Sequence, residues 1–105
     1  MTIAEESVYA ALRQVSDPEM FVNIVDLGLV YEVNVFEAAE GKSRIHVKMT
    51  MTSPACPAAP QMLREARDAL LNLDGVSEAQ VELVMSPLWT PDRMTEEARD
   101  ELGFY

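Results

Sequence analysis

Apolar and polar positions follow two distinct periods along the chain, and the changes of period mark its elements. Between residues 4 and 15, Val8, Ala11, Leu12 and Val15 share one helical face, with Glu5, Glu6 and Arg13 elsewhere. Asp17-Pro18-Glu19 predicts the end of that helix, because proline disfavours helical backbone in the residue before it. Met20 to Gly28 has no clean period and reads as an extended approach followed by a turn formed by Asp26 and Gly28. Leu29, Tyr31, Val33 and Val35 then alternate with Glu32 and Asn34, the pattern of a half-buried strand. Glu37 to Ser43 is a polar loop. Ile45, Val47, Met49 and Met51 place a second strand over Arg44 to Met51, and the two runs predict an antiparallel hairpin.

Helical spacing returns with Met62, Leu63, Ala66, Ala69, Leu70 and Leu73. A helix is predicted from Pro57 to Leu73, with Pro57 in its first position, where a missing N–H is harmless, and Gly75 as its C-terminal cap. Val76 to Ser86 supplies a third strand with Val81, Leu83 and Met85 on one face. Strand, crossover helix and strand imply parallel pairing. Pro87-Leu88-Trp89-Thr90-Pro91 cannot continue a ladder and predicts an ordered loop. Thr95 to Leu102 is a short last helix, with Gly103 after it as a cap. The predicted fold class is α/β (α+β): a compact two-layer sandwich in the order α-β-β-α-β-α. Its helices lie against a small mixed sheet built from a hairpin and a parallel crossover.

Composition narrows the function classes. A chain of 105 residues, 49% apolar and 25% charged, is expected to be one domain over 1–105 with its own core. No apolar run approaches the roughly 20 residues of a membrane helix, and the acidic start lacks the order of a signal peptide. A single cysteine allows no disulfide within the chain, so the expectation is a cytoplasmic protein. Eighteen acidic against 8 basic residues give a net charge of −10, which argues against a nucleic-acid partner and suits a basic protein partner.

The candidate chemistry centres on Cys56, between the second predicted strand and the central helix. Two readings stand. Just before a helix that starts at Pro57, the thiol would sit near unpaired N–H groups and the positive helix end, which favour the reactive thiolate. Alternatively, it is a small buried hydrophobe. Thr50 and Thr52 offer hydroxyls nearby or are simply good strand residues. Asp17, Glu19 and Asp26 offer carboxylates, although helix-end and turn roles explain Asp17 and Asp26 as well. His46 reads as a surface residue of the strand, with no partner carboxylate identifiable. Trp89, between two prolines, is either a plug over the sheet, the preferred reading, or an aromatic anchor for a partner. No C-x-x-C, P-loop, G-x-G-x-x-G or G-x-S-x-G is present. Nucleophilic catalysis by Cys56 with His46 has no third residue to orient it, so a non-enzyme is expected.

Three runs together carry a resemblance: Asp17-Pro18-Glu19, Ile24 to Tyr31 (IVDLGLVY) and Met49 to Pro57 (MTMTSPACP). With Gly75-Val76, the Trp89 loop, Asp92-Arg93-Met94 and Glu101-Leu102-Gly103, they closely resemble the iron–sulfur cluster assembly family that includes SufT and the PaaD-type proteins. The likeness spans nearly the whole chain. It implies a small α/β domain that helps to mature iron–sulfur clusters or deliver them to client apoproteins, with Cys56 as the cluster-related, metal-binding thiol. Asp17, Glu19, Asp26, Thr50 and Thr52 would form the supporting surface, and scaffold or carrier proteins would be further partners. The chain departs from the family at Ser86, where relatives tend to carry an acid, so no carboxylate role is carried over there. It is also expected to lack the cysteine-rich tail of PaaD proteins and to be nearer the single-domain, SufT-like form. A cluster usually takes four ligands, mostly thiolates, against one thiol per chain. The cluster is therefore expected to be held only transiently, or bridged between the Cys56 residues of a homodimer.

Overall fold

The structure is a computed structural model that describes residues 3–18, 21–52 and 57–103. Its elements are α1 (Glu5–Leu12), β1 (Val30–Glu37), β2 (Ser43–Met49), α2 (Ala59–Leu71), β3 (Val76–Leu83) and α3 (Glu96–Leu102), with single 3-10 turns at Ala39–Gly41 and Pro91–Arg93. The order is the predicted α-β-β-α-β-α. The sheet runs β1-β2-β3, with β1 antiparallel and β3 parallel to the central β2.

Strict alternation in β2 explains why it is central. Ser43, Ile45, Val47 and Met49 are buried, whereas Arg44, His46 and Lys48 turn to the other face. In register with them, Val35 and Val33 of β1 and Ala79 and Val81 of β3 extend the apolar face across the sheet. The helices cover that face. Val8, Ala11 and Leu12 of α1 and Met62, Ala66 and Leu70 of α2 are the buried positions at helical spacing. Buried Ser43 fastens the start of β2: its N–H donates to Gly75 O (2.6 Å), and its Oγ accepts from Ile3 N–H (2.8 Å). The opposite sheet face is polar. There Lys48 meets Glu32 at 3.4 Å, His46 meets Glu82 at 3.1 Å, and Arg44 lies over the Phe36 ring.

Four expectations are corrected. First, α2 begins at Ala59 with Ala58 as its cap residue, two positions later than predicted, and Pro60 rather than Pro57 is the first-turn proline. A start at Pro57 would have placed Pro60 where its N–H must bond the carbonyl of the cap residue; proline has no such N–H, and its ring clashes with that carbonyl. The helix ends at Leu71, with Gly75 at φ 87° serving the turn into β3 instead of the cap. Secondly, β2 ends at Met49; Thr50 N–H leaves the ladder to bond Leu29 O (2.8 Å). Thirdly, β3 ends at Leu83, and as an edge strand it only half buries the predicted face: Leu83 is 39% exposed. Fourthly, His46 does have a carboxylate partner, Glu82, which arrives from β3 and is invisible in local sequence.

Candidate functional site

Two loop systems carry the residues singled out in the sequence. The first is a tight loop after α1. Ser16 bridges to Asn23, Asp17 N–H donates to Val22 O (3.0 Å), and Phe21 N–H returns to Asp17 O (2.8 Å). These bonds fold the loop so that Asp17 is fully buried while Phe21, two residues before Asn23, is 84% exposed at φ 59°. The Thr52 hydroxyl donates to Asp17 Oδ2 at 3.5 Å, the long limit of such a bond. Asp17 and Thr52, 35 residues apart in the chain, are thereby brought together. Thr50 is not part of this pair: it is fully buried, and its hydroxyl is directed at Met85 Sδ (4.0 Å). Cys56 and Glu19 lie outside the described residues.

The second system is built on the Asp26-Leu27-Gly28 turn. Asn23 Oδ1 accepts from the N–H groups of Val25 (3.1 Å) and Asp26 (2.9 Å), and Asn23 Nδ2 donates to Asp26 Oδ2 (3.0 Å). The Asp26 carboxylate also faces Arg13 Nε at 3.9 Å. Asp26 is thus used in shaping its own turn, as asparagine and aspartate side chains commonly are. The turn then acts as a saddle for the chain after β3. Trp89 Nε1 donates to Leu27 O at 2.6 Å, Thr95 N–H donates to Asp26 O at 2.8 Å, and the Arg93 backbone packs directly on Gly28. Any Cβ at position 28 would overlap the Arg93 carbonyl. Trp89 is half-buried against the core, with its ring N–H bonded internally.

Sequence reasoning missed Arg93 and Tyr31 as a pair. The Arg93 guanidinium lies over the Tyr31 ring, 4.6 Å from its centroid, and the Tyr31 hydroxyl donates to Pro87 O at 2.9 Å. The strand period and the resemblance place Tyr31, and the resemblance alone places Arg93, but a contact across 62 residues of chain has no local signal. It also passed over Phe21, which stood inside a segment without a period.

Among the described residues, no three or more His, Cys, Asp or Glu side chains are placed to hold one ion. The chain's only thiol is Cys56, against the four mostly thiolate ligands a cluster usually takes. No helix among the described residues is long and apolar enough to cross a membrane.

Comparison with known proteins agrees with this architecture. Residues 5–83 match a family described as iron-sulfur cluster assembly protein. The chain is 43% identical over 99 residues to the Fe-S protein maturation auxiliary factor YitW of Bacillus subtilis, covering 94% of this chain and 93% of that one. It is 39% identical over 89 residues to the Fe-S protein maturation auxiliary factor SufT of Staphylococcus aureus, covering 85% and 97% respectively. Among solved structures, a domain of unknown function from Bacillus anthracis superposes with a TM-score of 0.86 at 39% identity, covering 96% of this chain and 92% of that one. With its α+β fold, the family match over residues 5–83 and a likeness to these relatives over almost its whole length, the chain belongs to the iron–sulfur cluster assembly protein family.

Proposed function

We propose that this protein is an iron–sulfur cluster maturation factor that assists transfer of a cluster, as cargo, to client apoproteins in the cytoplasm. The observation that carries this reading is the family match across nearly the whole chain, to relatives named as maturation auxiliary factors. Cys56 is the thiol proposed to meet the cluster, and Thr52, four residues before it, is held by buried Asp17. Glu19 belongs to the same proposed surface. One thiol cannot complete a four-ligand cluster, so the remaining ligands come from a carrier, a client or a second copy of this chain. The role is that of a non-catalytic go-between with scaffold or carrier proteins on one side and clients on the other.

The test is anaerobic purification of wild type and Cys56→Ala, with iron and sulfide quantitation, absorption spectra and client activity measured in strains carrying each form. The expected result is reduced client activity in the mutant strain, with the mutant protein retaining the wild-type circular dichroism and melting temperature. Iron and sulfide in wild type that disappear in the mutant would mark the bridged form of the same role. Normal client activity in the Cys56→Ala strain would replace the proposal with an interaction module whose cysteine is structural.

A further inference from the structure

Arg93 lines an open cleft of about 470 Å3 together with Gly28, Val30, Tyr31 and Pro87. That volume falls in the range of ligand clefts, roughly 300–1,000 Å3. Three features of Arg93 bear on what the cleft can hold. Its guanidinium is held by the Tyr31 ring, and that ring is pinned in turn by the hydroxyl bond to Pro87 O. Its backbone is held by close packing on Gly28, at φ 78°. Like Arg44, Arg64, Arg67 and Arg99, it makes no ion pair among the described residues, so its charge is open to a ligand.

Stacking uses the flat face of a guanidinium and leaves the N–H groups on its edges available. A long side chain already immobilised in the free protein also loses less entropy when it engages a ligand. The edge of a planar guanidinium matches the two oxygens of a carboxylate with parallel hydrogen bonds. Beside it, Val30 and Pro87 supply apolar wall, which a fully hydrated small anion would not use.

We infer that this cleft docks an acidic peptide segment of a partner protein, with a carboxylate on the Arg93 fork and the neighbouring apolar side chain against Val30 and Pro87. Local charge complementarity selects this occupant. The net charge of −10 repels acidic chains at long range, but at about 0.1 M salt that repulsion is screened beyond roughly 10 Å, leaving the Arg93 contact to decide. Such docking goes beyond cluster maturation and requires no cluster, so it stands or falls separately from the role of Cys56.

The experiment is an NMR titration of the 15N-labelled full chain with three probes. They are acetyl-alanine-leucine-aspartate with a free C-terminus, its C-terminal amide, and the neutral asparagine amide. Saturable shifts are expected at Gly28, Val30, Tyr31 and Arg93 with the free acid, and at least tenfold weaker binding with the neutral probe. If the aspartate amide keeps the affinity, the side-chain carboxylate is the recognised group; if it loses it, the terminal carboxylate is. Arg93→Gln should weaken binding at least tenfold with the remaining spectrum unchanged. Arg93→Lys, which keeps charge and bulk but not the planar fork, should weaken it severalfold and serves if the glutamine variant fails to fold. Equal binding of the neutral probe, full affinity in the folded Arg93→Gln or Arg93→Lys protein, or shifts confined to the Arg44–Lys48 face would overturn the inference.

Discussion

At Gly28 a single methyl group decides whether the chain after β3 can close onto the core. A Cβ there meets the Arg93 carbonyl, and the φ of 78° is itself unfavourable for any other residue. Gly28→Ala is expected to destabilise the fold by roughly 2 kcal/mol or more, adding backbone strain to a clash with main chain that cannot step aside. Urea unfolding would measure it, and a cost below about 0.5 kcal/mol would show that the saddle gives way easily. Phe21 poses the reverse case. It also holds a left-handed φ, of 59°, but its ring is 84% exposed and contributes little burial. Phe21→Asn, which tolerates this backbone far better, is expected to stabilise by roughly 0.5–1 kcal/mol. An unchanged or lowered unfolding midpoint would mean that the ring packs in solution. The two positions share a backbone region and differ in what lies beside it.

At the scale of elements, the two helices flanking β3 are held by different means. The long α2 has no side-chain cap at its start and depends on burying Met62, Ala66 and Leu70. The seven-residue α3 is too short to persist alone and depends on its ends. Thr95 Oγ1 accepts from Ala98 N–H at 3.2 Å, Gly103 closes the other end at φ 82°, and Thr95 N–H ties the helix to Asp26 O. Thr95→Ala should therefore cost about 1 kcal/mol, against a smaller loss for Thr95→Ser, which keeps the oxygen. Hydrogen exchange would show the loss confined to α3 and the Trp89 loop if the helix frays as a unit. Uniform loss of protection across β2 would instead make α3 part of the main cooperative core. The Gly103 cap of α3 is legible in sequence because it acts on its own neighbours, whereas Thr95, read there as the first helical residue, is the N-cap in the structure. The start of α2 was misplaced because Pro57 and Pro60 compete for the first turn, and only one of them can occupy it.

For the whole molecule, charge is the dominant long-range term. With −10 on 105 residues, like-charge repulsion opposes compaction at low ionic strength. The Lys48–Glu32 ion pair and the His46–Glu82 hydrogen bond on the open sheet face are partly solvated and offset little of it. Raising sodium chloride from about 10 to 300 mM is expected to raise the melting temperature by roughly 2–5 °C, as screening removes more repulsion than attraction. A flat or falling melting temperature would mean that these contacts outweigh the net charge. The same balance bears on assembly: two copies each carrying −10 meet more readily as salt increases.

Element order, strand direction and the buried faces of α1, α2 and β2 were determined by the sequence alone, because periodicity records which side of each element leaves water. Residues such as Ile45, Val47 and Met49 needed no partner to be identified as core. The short motifs likewise carried the family. What only the tertiary structure decided was the use of the polar groups. That Asp17 receives the Thr52 hydroxyl, that Asp26 shapes a turn with Asn23, that His46 faces Glu82, and that Trp89 and Arg93 close onto the Leu27-Gly28 backbone all depend on distant segments meeting. Apolar burial is a property of a residue and its period, repeated along an element and averaged over many contacts. A hydrogen bond or a stacked guanidinium is set by the distance between two particular atoms, and that distance exists only once the chain has folded.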